Sequence, residues 1–199
     1  NAFDAHIESG IRNVPIQVTL PSFGDPKISI RDFGFGLSEE DVRNVFGMYG
    51  ASTKRNKHEQ TGQLGIGSKS SFSYTDSFVI ISRYNGEKKT YNAVINTHGI
   101  GELLLFCSEE LLGENTGLEI IVNVEVKDID AFHSKALDFF SHWKIKPSIL
   151  NSFCALEDKK FIVQKEKYAR THSKDASIVL MGNVPYTLDI SKLSDLSSG

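Results

Sequence analysis

Cysteine is scarce in this chain: Cys107 and Cys154 are the only two among 199 residues. They lie far apart in no metal-binding or redox spacing, which excludes a thiolate metal site and a paired-thiol motif and leaves them to read as buried thiols in a reducing compartment. Long apolar runs are missing too. None approaches the ~20 residues a bilayer-spanning helix needs, and no stretch reads as a signal peptide. Charge of one sign is also lacking: 22 basic against 25 acidic residues leave a net −3. No global basic field points to nucleic acid, although a local patch stays open. The six histidines include no adjacent pair and no metal spacing, and read as surface or core residues. What remains is ordinary for a soluble globular protein, with 40% hydrophobic and 24% charged residues. The length suits one domain and part of a second. The opening, "NAFDAH", has no initiator Met and reads as the middle of a helix, so a preceding N-terminal piece is expected.

Residues 1–12 read as helix, ending near Gly10. "IQVTL" (16–20), closed by Pro21, and "KISIRD" (27–32) read as strands of a hairpin-like unit across the turn "FGDP". Ser38 can cap a helix whose first turn carries Glu39, Glu40 and Asp41, with Val42, Val45 and Phe46 as its apolar face. Residues 47–66 form a polar, glycine-containing stretch too long for a simple turn, of the kind that serves as a lid or is disordered. A short helix is expected over 68–74. Four strands follow without crossover helices, at 77–84, 89–96, 102–108 and 117–126, and should be antiparallel. Residues 128–143 place Ile129, Phe132, Ala136, Phe140 and Trp143 on one helical face, better suited to a core than to a partner. After Pro147 the pattern changes to new strands in "KKFIVQKEKYA" and "ASIVLMGNVPYTLDI", which sets an expected boundary near residue 147.

The stretch "GQLGIGSKS" (62–70) suggests a phosphate loop. It is not a P-loop: Ser68 stands where the lysine belongs, Lys69 comes one place late, and the preceding stretch is charged loop rather than strand. A glycine loop opening a helix can still bind an anion through successive backbone N–H groups and the helix dipole. Asp32 ends a strand just before Gly34 and Gly36. A carboxylate there can accept from an amino group, and glycine lets a planar ligand approach the backbone. An ordinary turn after a strand uses the same residue types.

Taken in order, "NAFDA" (1–5), "DFGFGLS" (32–38), "GQLGIGSKS" (62–70) and "NTGLEIIV" (115–122) resemble the ATP site of the GHKL superfamily, the Bergerat fold of gyrase, the large heat-shock chaperone, histidine kinases and MutL. The resemblance covers about the first 145 residues and is greatest to the chaperone and MutL branches. The run from "MYGASTK" to "SFVIISR", with "TGLEIIVNVEV" and "KPSIL", also resembles the phage rapid-lysis (rIIA) proteins.

The resemblance implies an α/β two-layer sandwich, a mixed sheet with helices on one face, over residues 1–146, followed over 147–199 by the start of a second α/β domain, transducer-like and similar to ribosomal S5. It implies ATP and Mg2+ as ligands. Asp32 would accept from the adenine amino group and Leu37 would wall the base beside Gly34 and Gly36. Gln63, Leu64, Gly65, Ile66, Gly67 and Ser68 would cradle phosphates. Lys69 need not touch phosphate and fits a solvent-facing position equally well. Asn1 would be the Mg2+ ligand, suited to it as a hard oxygen donor, with Asp4 one turn on as the second polar residue of that helix. Ser52, Thr53 and Lys54 would reach phosphates when the lid closes. Thr116 is similar to the threonine that supports the adenine-binding aspartate, although the order here is Asn115, Thr116, Gly117 where the family places glycine before threonine.

The same resemblance implies an ATPase that couples nucleotide binding and hydrolysis to lid closure and homodimerisation. The superfamily's water-activating glutamate would precede Asn1, so hydrolysis is expected of a longer protein and not of this stretch. The rapid-lysis resemblance implies a bacterial host cytoplasm, a location peripheral to the membrane at most, and a protein partner in the host. The competing reading is a nucleotide-binding interaction module that does not turn over. A histidine kinase fits less well, because its asparagine box usually lacks the following "DA" and no phosphoacceptor-helix region is seen.

Overall fold

The computed structural model describes residues 2–11, 13–46, 67–113, 115–157, 161–164, 168–172, 177–181 and 184–188. The chain divides into two compact units, Asn1–Ile129 with Pro147–Asn151, and Asp130–Lys146 with Ser152–Gly199.

The first unit is built on a seven-stranded mixed sheet. Its strands are β1 (Gln17–Thr19), β2 (Lys27–Arg31), β3 (Ser77–Tyr84), β4 (Glu87–Ile95), β5 (Gly101–Glu110), β6 (Gly117–Asn123) and β7 (Ser148–Leu150), in the spatial order β5-β4-β3-β6-β2-β1-β7. Every pairing is antiparallel except β1 with β7. Strand β7 follows Pro147 directly and joins this sheet, with Val18 opposite Ile149. Alternation decides which face is buried. Phe78 and Ile80 of β3, Tyr91 and Ala93 of β4, and Val122 of β6 point to one side. Helix α2 (Glu39–Phe46) buries Val42 and Phe46 against them. A 3-10 helix, Gly67–Ser73, lies over the same side, where the rings of Phe72 and Phe78 meet edge-on at 4.8 Å. The result is the two-layer α/β sandwich, with these helices on one face.

Capping fixes where α2 starts. The Ser38 hydroxyl accepts from the Asp41 N–H at 3.1 Å and donates to the Asp41 carboxylate at 2.6 Å. Three acidic residues in the first turn favour the positive helix end. The remaining helix of this unit, α1 (Ala2–Glu8), ends before Gly10, which takes a left-handed φ of 70°.

The second unit holds most of α3 (Ile129–Ser141) and a four-stranded antiparallel sheet of β8 (Phe161–Gln164), β9 (Tyr168–His172), β10 (Ser177–Met181) and β11 (Val184–Leu188), in the order β11-β10-β9-β8. On α3, Ile129, His133 and Phe140 are buried. Phe139, Phe140 and Trp143 form an edge-on aromatic group with centroids 5.0 to 5.7 Å apart. Lys146 Nζ donates to the Ser141 carbonyl at 2.5 Å, satisfying a C-terminal helix acceptor.

The cysteines differ from expectation. Cys154 is exposed and Cys107 half-buried, and both are free thiols. Cys107 sits on β5, the edge strand of this sheet among the described residues, and Cys154 in the irregular stretch after β7. No described helix is long and apolar enough to cross a membrane.

Candidate functional site

The residues from Asp32 to Ser38 leave β2 and run to α2, and three other elements, α1, β3 and β6, hold them. Asp32 stays in the ladder through its backbone: its N–H donates to the Leu118 carbonyl at 2.9 Å. Its side chain then turns back. One oxygen, Oδ1, accepts from the Leu118 N–H at 3.1 Å and from the Gly34 N–H at 3.0 Å. Among the described residues the other oxygen, Oδ2, makes no hydrogen bond. The carboxylate is therefore oriented by two fixed donors and keeps one acceptor free. Asp32 is 5% exposed. Burial raises its pKa above the ordinary 3.8, against the opposing pull of the Gly34 and Leu118 N–H groups.

The rest of the loop is clamped in the same manner. Thr116 Oγ1 donates to the Gly34 carbonyl at 2.7 Å. His6 Nε2, from α1, accepts from the Phe33 N–H at 2.7 Å. Ser82 of β3 holds Leu37 at both ends: its hydroxyl accepts from the Leu37 N–H at 2.9 Å and donates to the Leu37 carbonyl at 2.7 Å. Arg31 lies over the Phe33 ring at 4.9 Å and reaches the Asn115 carbonyl at 3.5 Å.

Two glycines are required by this packing. Gly36 has φ of 74°, and a Cβ there would strike the Arg83 carbonyl. Gly117 has φ of 132°, and a Cβ there would strike the carbonyl of Asp32 itself. The close approach of β6 to the Asp32 loop depends on the second.

The candidate residues thus fall into groups. Asp32, Gly34, Gly36, Leu37 and Thr116 are brought together in one clamped loop. Thr116 reaches the loop through the Gly34 carbonyl rather than through the Asp32 carboxylate. Asp4 lies exposed on α1, the helix that supplies His6. Gly67 and Ser68 open the 3-10 helix. Asn1, Ser52, Thr53, Lys54, Gln63, Leu64, Gly65 and Ile66, and with them the stretch 47–66, lie outside the described residues. Three residues that hold the loop carried no sequence signal as functional: Leu118 acts through its N–H, Ser82 is a buried strand serine, and His6 reads as an ordinary histidine.

This arrangement suits a base carrying an exocyclic amino group: a free, oriented carboxylate oxygen beside glycine backbone. Residues 1–103 match the family model of histidine kinase-, DNA gyrase B- and HSP90-like ATPases. The chain belongs to this ATPase family. Among its relatives, the chaperone protein HtpG of Rickettsia typhi is 28% identical over 144 residues, covering 66% of this chain and 23% of the chaperone. HtpG of a Polaromonas species is 26% identical over 152 residues, covering 71% of this chain and 22% of the chaperone. The chain spans less than a quarter of the length of the curated relatives it matches.

The residues present fit the adenine end of ATP, since Oδ2 of Asp32 is the acceptor such a ligand needs. For the metal, no group of three or more His, Cys, Asp or Glu is assembled among the described residues. An Mg2+ ion carried mainly by phosphate and water requires no such group.

Proposed function

We propose that this chain is the ATP-binding module of a GHKL ATPase, coupling Mg-ATP binding and hydrolysis to closure of the 47–66 stretch and to dimerisation of a longer protein. The observation that carries the reading is the Asp32 carboxylate, fixed at Oδ1 by Gly34 and Leu118 and open at Oδ2. Oδ2 accepts the adenine amino group, and Leu37, held by Ser82, walls the base. Gln63 to Ser68 offer main-chain N–H groups to the phosphates. Ser52, Thr53 and Lys54 reach them when the lid closes, Asp4 joins the ATP-binding residues, and Asn1 is the Mg2+ ligand. Mg2+, when bound, neutralises phosphate charge. Residues 147–199, which include the four-stranded antiparallel sheet, serve as the start of a transducer-like domain.

A narrower reading makes the longer protein a phage rapid-lysis (rIIA) type ATPase acting in a bacterial host cytoplasm with a host partner. It rests on the run of similar residues from "MYGASTK" to "SFVIISR".

Calorimetry with ATP on the chain, beside Asp32→Asn, tests the module. Micromolar-range binding that the Asn variant loses is the expected result, and equal affinity of the two sinks the assignment. A phosphate-release assay on the same samples separates turnover from binding alone.

A further inference from the structure

We propose that His6 is a positioning residue for the adenine acceptor: its imidazole, presented from α1, holds the peptide that follows Asp32 and so sets the aim of the carboxylate. The inference rests on the nucleotide reading above and adds a residue to it.

His6 is 6% exposed, and its Nε2 accepts from the Phe33 N–H at 2.7 Å. An accepting ring nitrogen carries no proton, so the ring is neutral with its proton on Nδ1 in this arrangement. The doubly protonated ring has no acceptor to offer. The Phe33 N–H belongs to the peptide that begins at the Asp32 carbonyl, so the bond fixes the chain one peptide from the carboxylate. Two further contacts dock α1 on this loop. The His6 and Phe33 rings lie 6.1 Å apart at 53°. A Cβ on Gly34 would come within 3.1 Å of the Ala5 side chain and carbonyl, which places α1 directly against the loop. The two donors on Asp32 Oδ1 come from β6 and from the loop itself. Neither fixes the Asp32–Phe33 peptide from the α1 side, and His6 does. Without it the Phe33 N–H is a donor with no acceptor inside a packed loop, and the loop relaxes to hydrate it. That relaxation turns Asp32, the group that distinguishes an amino-bearing purine from an oxo-bearing one.

The test compares ATP and GTP binding to the chain and to two variants. His6→Leu keeps the apolar bulk and removes the acceptor. His6→Gln places Oε1 at the same bond count as Nε2 and restores an acceptor. The expected result is an ATP-to-GTP affinity ratio up to about tenfold lower in the Leu variant, the upper range for one lost hydrogen bond of a half-buried donor, and largely recovered in the Gln variant. A merely structural role would weaken both nucleotides alike. An unchanged ratio in His6→Leu therefore overturns the proposal. Should the Leu variant fail to fold, the nitrogen spectrum of the imidazole in the unaltered chain decides. Unprotonated Nε2 coupled to the Phe33 amide supports the geometry, and a proton on Nε2 overturns it. If the unaltered chain binds neither nucleotide, the nucleotide reading fails while the imidazole spectrum still reports whether the His6–Phe33 bond exists.

Discussion

Thr116 donates its hydroxyl to the Gly34 carbonyl at 2.7 Å, across 82 residues of sequence. This bond ties the entry of β6 to the second residue after Asp32, so the threonine supports the acceptor through the main chain. Replacing it by valine keeps the shape and removes the donor. Thr116→Val should weaken ATP binding about three- to tenfold, in line with one hydrogen bond of ~1 kcal/mol, and Thr116→Ser should keep most of the affinity. Calorimetry on the two variants checks this, and loss in the Ser variant with the Val variant unaffected would point to the methyl group instead.

Asp32 is expected to make stability depend on pH. Its carboxyl pKa is raised in the folded state, chiefly by burial, above the reference 3.8. The group's contribution is thus fully present below pH 3.8 and is lost as pH rises through the elevated folded value. Asp32→Asn keeps an acceptor for Gly34 and Leu118 and carries no charge. The stability of the Asn variant relative to the native chain should therefore grow as pH rises from 3.8 and level off above the folded pKa. Urea midpoints across a pH series measure it. A flat difference would mean that the carboxylate is not desolvated.

Gly117 is the most constrained backbone position near the site, with φ of 132° and the Asp32 carbonyl where a Cβ would stand. Gly117→Ala must either shift β6 or open the Asp32 loop. A loss of more than about 2 kcal/mol in stability is expected, together with loss of ATP binding. Gly99, also at positive φ but with open space around it, serves as the control. Its alanine variant should lose less stability, through φ alone, and leave binding intact.

The strands and α2 were legible because their signals are local. Alternation marks Phe78, Ile80 and Val122 as one face, and Ser38 with its acidic followers marks the start of α2. The strand order was not legible. Strand β6 sits between β3 and β2, and β7 runs parallel beside β1, pairings made over long sequence separations with no local trace. Asp32 was legible as a candidate from the glycines that follow it. Its partners were not, because a backbone N–H such as that of Leu118 belongs to every non-proline residue. Likewise nothing in the letter H distinguishes a histidine that accepts from a backbone amide from one in a core. The exposure of Cys154 escaped for a similar reason: burial follows from tertiary cover, which residue type predicts only on average.

Tyr74 offers a last test, at the far end of the 3-10 helix that Gly67 opens. Its hydroxyl donates to Asp128 Oδ2 at 2.7 Å and accepts from the Glu125 N–H at 3.1 Å. One phenol thereby joins the end of the helix at 67–73 to the segment leading from β6 into α3. Burial, then the Asp128 carboxylate, raises the phenol's pKa above 10.0. The sign follows: the bond's contribution is complete below pH 10.0 and disappears as pH climbs through the raised value. Tyr74→Phe keeps the ring and removes both bonds, leaving the Glu125 N–H to water. Because the site is partly exposed, the loss of global stability should be small, at most ~1 kcal/mol. The local effect should be larger. Amide exchange at Glu125 is expected to accelerate about tenfold, and the amides of Tyr74 and Thr75 should accelerate with it, since the same phenol restrains both segments. Acceleration at Glu125 alone would mean that the bond closes one turn and transmits nothing to the helix at 67–73.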